Sequence, residues 1–228
     1  MKTFKILSLL LSYPSAELQA AIPYLRQVLR DEDLVGPGGR AALEPLLAQM
    51  ETGDLIDLQE RFVLLFDRTR SLSLNLFEHI HGESRDRGGA MVDLLTMYRQ
   101  GGYDLDAIEL PDHLPVLLEF LSTRDLDEAR RILVDAGHII VALHERLCRR
   151  ETPYAAVFDA LIQITAANPH SDEARELVAM QDDDPEDLQA LDQIWEEAQV
   201  TFGPDPSVGC PVSRDILARM GAPADAGE

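Results

Sequence analysis

The chain has 228 residues, 46% apolar and 27% charged, a balance that suits a folded globular protein and excludes global disorder. Its 41 acidic residues against 20 basic ones give a formal charge of −21, a field that repels nucleic-acid phosphates and anionic lipid and draws basic partners. Cys148 and Cys210 are the only cysteines, which excludes a disulfide framework or a cysteine-rich zinc site and suits a reducing compartment.

Residues 1–12 open like a signal peptide, with Lys2 and Lys5 placed ahead of and within a leucine-rich run. Ser8 interrupts that run, Tyr13-Pro14 stands where a small-residue cleavage site would be, and Phe4, Leu7 and Leu11 fall at helical spacing. The run therefore reads as a first packed helix, and the protein as cytoplasmic. No other stretch approaches the roughly 20 apolar residues that cross a bilayer, so no membrane insertion is expected.

Turn chemistry at Gly36-Pro37-Gly38-Gly39 separates the next helices. Leu55, Leu58, Phe62, Leu65 and Phe66 then mark one helix face. Met91, Leu94, Leu95 and Tyr98 mark another, with Ser84 as N-cap and Gly101-Gly102 as the stop. In Glu109-Leu110-Pro111-Asp112-His113-Leu114-Pro115, Asp112 is the expected cap, Pro115 falls in the first turn, and Leu114, Leu117, Leu118 and Leu121 form the buried stripe. Glu109 and His113 have no such structural reason to be there. Ala129 to Leu147 gives the longest stripe and predicts one helix of about six turns. Phe158, Leu161 and Ile162 belong to a shorter helix after Pro153, ended by Asn168-Pro169.

From Ser171 to Glu228 the chain has 15 Asp and Glu against three Arg, a net −12. The expected architecture is an all-α, single-domain helical bundle, compatible with two lobes. It has a helical domain over residues 1–168, acidic helices packing on it over 169–202 and a partly mobile tail over 203–228.

No glycine-rich phosphate loop, dinucleotide fingerprint or nucleophile elbow is present. His79 and His81, with Glu78 and Glu83, are the one cluster with metal-ligand chemistry. Their spacing suits a strand that the helical pattern does not provide, and no His-Asp dipeptide supports a metal-dependent phosphohydrolase. A small metal-dependent helical hydrolase using Glu109, Asp112 and the histidines is the alternative from a different class. Arg68, Arg70, Arg85 and Arg87 either clamp an anion or pair with Asp67, Glu83 and Asp86.

Residues 66–74, Phe-Asp-Arg-Thr-Arg-Ser-Leu-Ser-Leu, run into Leu76-Phe77-Glu78-His79 and then His81-Gly82-Glu83-Ser84-Arg85-Asp86-Arg87-Gly88. This long segment resembles the nitrate reductase molybdenum cofactor assembly chaperones, also called the delta subunits of respiratory nitrate reductase. Glu109-Leu110-Pro111-Asp112-His113 with residues 117–121 resembles the Glu-x-Pro-Asp-His signature of the wider redox-enzyme maturation chaperones. That group includes the chaperones of trimethylamine N-oxide and dimethyl sulfoxide reductases. Leu10-Leu11-Ser12-Tyr13-Pro14 matches the family's opening helix, and the likeness covers residues 3–165.

The resemblance implies a cytoplasmic, all-helical, non-catalytic chaperone with no stably bound cofactor. Its partner would be the apo catalytic (alpha) subunit of nitrate reductase, including that subunit's N-terminal segment. Insertion of molybdopterin guanine dinucleotide would be assisted before membrane attachment. A chaperone of another molybdoenzyme is the alternative within the group. Expected site residues are Leu76, Phe77, Tyr98 and Phe120 as apolar floor or wall, or as ordinary core. Asp67, Glu83, Asp86, Glu109 and Asp112 would form an acidic or capping rim beside Arg68 and Arg87. His79, His81 and His113 would make affinity respond to pH near neutrality, because protonation opposes a cationic peptide.

Overall fold

The computed structural model describes residues 1–81, 85–105, 109–168, 170–180 and 182, with side chains for all of these except 81, 85 and 86. Ser84 as a cap, Glu83, residues 106–108 and most of the acidic segment lie outside the described residues. The described elements are α-helices α1 (Lys2–Leu10), α2 (Ala16–Glu32), α3 (Gly36–Thr52), α4 (Leu55–Phe66), α5 (Glu78–His81) and α6 (Arg85–Gln100). They continue as α7 (Leu114–Ser122), α8 (Leu126–Asp135), α9 (Gly137–Arg149), α10 (Ala155–Thr165) and α11 (Asp172–Ala179), with a 3-10 turn at Arg70–Leu72. The fold class is all-α. One antiparallel bridge, Asn75 to His113, is the only extended pairing among the described residues.

The opening run is a packed helix, as its spacing requires: Phe4, Leu7, Leu10 and Leu11 are completely buried. It lies chiefly against α7. Ser8, the polar interruption in that run, faces inward and its hydroxyl donates to the Pro115 carbonyl at 2.8 Å. Lys5 pairs with Glu119 on the same helix interface. These contacts fix the first turn of α7 against the C-terminal end of α1. Among the described residues no helix is long and apolar enough to cross a membrane.

Caps set most of the remaining boundaries. Ser15, Asp54, Asp125 and Ser171 each accept a backbone N–H of the following first turn through the side chain. Gly36-Pro37-Gly38-Gly39 lies inside the first turn of α3 rather than ahead of it, because a proline there lacks an N–H that the first turn could not pair anyway. The long stripe from Ala129 to Leu147 is also two helices, not one, broken at Ala136. Gly137 sits at the break, where a Cβ would lie 3.2 Å from the Ala167 methyl, so the absence of a side chain lets α9 begin against the end of α10. α9 then packs against α10 and α11 and, through Ile139, Ile140, Leu143 and Leu147, forms the centre of the core.

Candidate functional site

The two segments that carry the sequence signatures meet in space. The Leu76 N–H donates to the Asp112 carbonyl at 3.1 Å and the Leu114 N–H to the Leu74 carbonyl at 2.8 Å. The Phe77 N–H donates to Asp112 Oδ2 at 3.0 Å. Asp112 is completely buried. It does not cap α7, whose N-cap is His113 with no side-chain capping bond. Its carboxylate is spent instead on the neighbouring strand-like segment, because the bridge at His113 turns residue 112 toward Phe77. Burial pushes the Asp112 carboxyl above the usual range, and the Phe77 N–H opposes that rise.

Beneath this seam, the Tyr98 hydroxyl donates to the Pro111 carbonyl at 2.7 Å. Tyr98 also packs against Phe120, with ring centroids 4.9 Å apart, and Tyr103 completes the group. His79 Nε2 lies 2.8 Å from the Ser73 carbonyl, so the ring donates there and holds the segment's own turn.

Above the seam, a cavity of about 530 Å³ opens between the end of α1, the C-terminal half of α4, residues 73–75 and the start of α7. Tyr13, Phe62 and Phe66 give it an aromatic side, with Phe62 and Phe66 centroids 5.0 Å apart and Tyr13 edge-on to Phe62 at 5.9 Å. Asp67, Glu109, His113 and Glu119 supply the polar side. Glu119 already pairs with Lys5, whereas Asp67 and Glu109 have no ion pair among the described residues. Burial and the Glu109 charge raise the Asp67 carboxyl above its ordinary value, and His113 partly offsets this. Burial also holds the His113 imidazole below its ordinary value, against the pull of Glu109, Asp112 and Asp67. A carboxyl whose charge a neighbouring carboxylate disfavours, set beside aromatic faces, makes a place where a cation is welcome.

Comparison with known proteins bears on this geometry. Residues 14–160 match the family model described as nitrate reductase delta subunit, a span that contains both signature segments and, of the cavity's aromatic side, Phe62 and Phe66. The chain belongs to this family. It is 43% identical over 206 residues, 90% of the chain and 86% of the relative, to the nitrate reductase molybdenum cofactor assembly chaperone NarJ of Escherichia coli (strain K12). It is 39% identical over 211 residues, 92% of the chain and 87% of the relative, to the probable chaperone of the same kind NarW from that strain. A probable NarJ of Bacillus subtilis (strain 168) is 31% identical over 163 residues, 70% of the chain and 86% of the relative.

Of the residues expected from sequence, this delta subunit family member brings Asp67, Glu109 and His113 together at the cavity. Leu76, Tyr98 and Phe120 are interior, 3%, 0% and 1% exposed, and so belong to the core reading rather than to an open floor. Phe77 is half-buried. Arg68 lies on a separate cleft on the outer face of α4 with Ile56 and Leu64. Arg87 pairs with Glu78 at 3.2 Å, not with Asp67. His79 is half-buried under the segment and does not line the cavity, and its desolvation lowers its pKa. Of His79 and His113, only the latter faces the cavity, and burial holds its imidazole below the ordinary value. The side chains of His81, Glu83 and Asp86 lie outside the described residues. Tyr13, Phe62, Phe66 and Glu119 are cavity residues that pattern reading assigned to packing or did not single out; Phe62 and Phe66 stand one helical turn apart immediately before Asp67, which is the local signal for them.

Proposed function

We propose that this chain is a dedicated maturation chaperone of respiratory nitrate reductase, which binds the apo catalytic subunit and acts in the cytoplasm. In this reading the cavity receives a basic, partly apolar stretch of the partner, its N-terminal segment. The bound subunit stays open to insertion of molybdopterin guanine dinucleotide, membrane attachment waits, and the chaperone then leaves. The chain contributes binding and timing rather than bond chemistry.

The observation that carries the reading is the placement of Asp67 and Glu109, without an ion pair among the described residues, against Tyr13, Phe62 and Phe66. An aromatic face attracts a cation through its quadrupole, and a carboxylate adds a charge-assisted bond, so an Arg or Lys flanked by apolar side chains meets both needs. The names of the relatives, assembly chaperones for nitrate reductase, support the choice of partner.

The test is co-purification of the chain with the apo catalytic subunit, intact and lacking its N-terminal segment. Binding lost on truncation, and weakened by Asp67→Asn with Glu109→Gln, is the expected result. Binding that ignores both changes would move the partner site elsewhere on the molecule.

A further inference from the structure

We infer that Arg146 is a positioning residue for partner binding: with Arg150 it clasps the C-terminal stretch 171–182 to the segment that walls the acidic cavity. Docking of that stretch and affinity at the cavity are thereby coupled. The inference rests on the reading of the cavity as the partner site.

Arg146 is 3% exposed in the last turn of α9, and a guanidinium that deep needs polar partners to offset its lost hydration. Its Nη1 donates to the Ser71 carbonyl at 2.7 Å and its Nη2 to the Leu177 carbonyl at 2.6 Å. Ser71 belongs to the 3-10 turn that leads from Asp67 into residues 73–75 of the cavity wall. Leu177 lies in the last turn of α11, where the helix dipole is negative, and its carbonyl accepts the Met180 N–H at 3.3 Å beside the guanidinium.

Arg150, one turn along the same helix, bridges the same two regions. Its Nη2 lies 3.4 Å from Ser71 Oγ and 2.7 Å from Asp182 Oδ1. Two arginines at i and i+4 thus hold one pair of segments at two points. The planar fork of Arg146 spans two diverging carbonyls, which a single ammonium on a lysine cannot do as well.

The stretch it holds is a separable element. α11 is eight residues long, too short to persist unsupported in water, and Ala174 and Leu177 are its buried anchors against α9. When α11 lifts, Arg146 loses the Leu177 acceptor, which relaxes its hold on Ser71. A partner that needs an ordered 73–75 wall therefore favours the docked state, and by linkage its binding tightens α11.

Hydrogen exchange and calorimetry on the full chain test this, with a peptide of the catalytic subunit's N-terminal segment as probe. Peptide binding should slow amide exchange at residues 174–180, which do not line the cavity. Arg146→Lys and Leu177→Asp should each speed exchange at 72–77 and weaken the peptide roughly five- to tenfold. The double variant should bind no worse than the weaker single one, because both break one link. Asp182→Asn removes the charge but not the acceptor of the Arg150 arm, keeps the fold, and should shift both readouts the same way by less. The coupling is overturned if α11 exchanges freely in Leu177→Asp while exchange at 72–77 stays as in the native chain, or if the two losses simply add. Asp67→Asn with Glu109→Gln separates the two ideas: unchanged affinity there sinks the cavity reading, and the coupling is then judged by exchange at 72–77 alone.

Discussion

A buried carboxylate whose oxygen accepts a backbone N–H is costly to remove from one side only. In Asp112→Ala the Phe77 N–H would lose its partner at a half-buried seam, a penalty of about 1–3 kcal/mol by the usual cost of an orphaned donor. Asp112→Asn keeps an acceptor and sheds a charge that burial already opposes, so it should be the milder change; urea midpoints of the two variants decide this. The histidines carry the acid-side pH dependence. His79 and His113 are held below the ordinary value near about 6.5, so the unfolded chain takes up protons before the folded one does as pH falls. Their contribution to stability is whole above that value and is lost progressively as pH drops through it toward the folded pKa. Asp67 and Asp112, raised in the fold, act with the opposite sign at lower pH: their contribution falls as pH rises from about 3.9 to their folded values. Unfolding free energy should thus decline between pH 7.5 and 5.5, and His79→Gln should flatten that slope. An unchanged slope would mean that His79 is not the titrating group.

At the scale of elements, the helices announced themselves because a 3.6-residue apolar period is a local property of the chain. Leu114, Leu117, Leu118 and Leu121 are buried on one stripe as their spacing requires. The break at Ala136 was illegible for the converse reason: it answers to Ala167, thirty residues away, which no window around Gly137 contains. The same holds for the site. Glu109 and His113 stood out as polar residues without a local job and Asp67 as a rim or ion-pair carboxylate, whereas Phe62 and Phe66 looked like ordinary stripe residues until α1 and α4 converged. Arg146 was hidden altogether, since its acceptors are carbonyls of Ser71 and Leu177 and a carbonyl has no sequence signature. The Gly101-Gly102 stop has a second role of this kind. A Cβ on Gly101 would lie 2.6 Å from Phe120 Cε2, and Gly102 has φ +73°. Gly101→Ala should push the Phe120 ring against Tyr98 and Tyr103 and destabilise the chain by about 1–3 kcal/mol, the usual range for overpacking. Thermal unfolding measures it, and a neutral result would show that α6 can shift at its C-terminus without cost.

Across the whole molecule the charge of −21 and the two cavity carboxylates attract a basic partner by different routes. The overall field acts at a distance and raises the encounter rate, but salt screens it over a Debye length of about 10 Å at 0.1 M. Asp67, with Glu109 at the rim, acts on a cation already in contact with Phe62 and Phe66, where water is partly excluded and screening is weaker. The two contributions should therefore separate in kinetics. Raising ionic strength should slow association of the N-terminal peptide while leaving its dissociation nearly unchanged. Asp67→Asn with Glu109→Gln removes two of 41 acidic residues, too few to alter the long-range field much. It should speed dissociation roughly tenfold, equivalent to about 1.4 kcal/mol, with association changed by less than about twofold. Stopped-flow measurement of both rates across salt concentrations is decisive. If the double variant instead slowed association and left dissociation untouched, the two carboxylates would be part of the general acidic surface rather than a contact site.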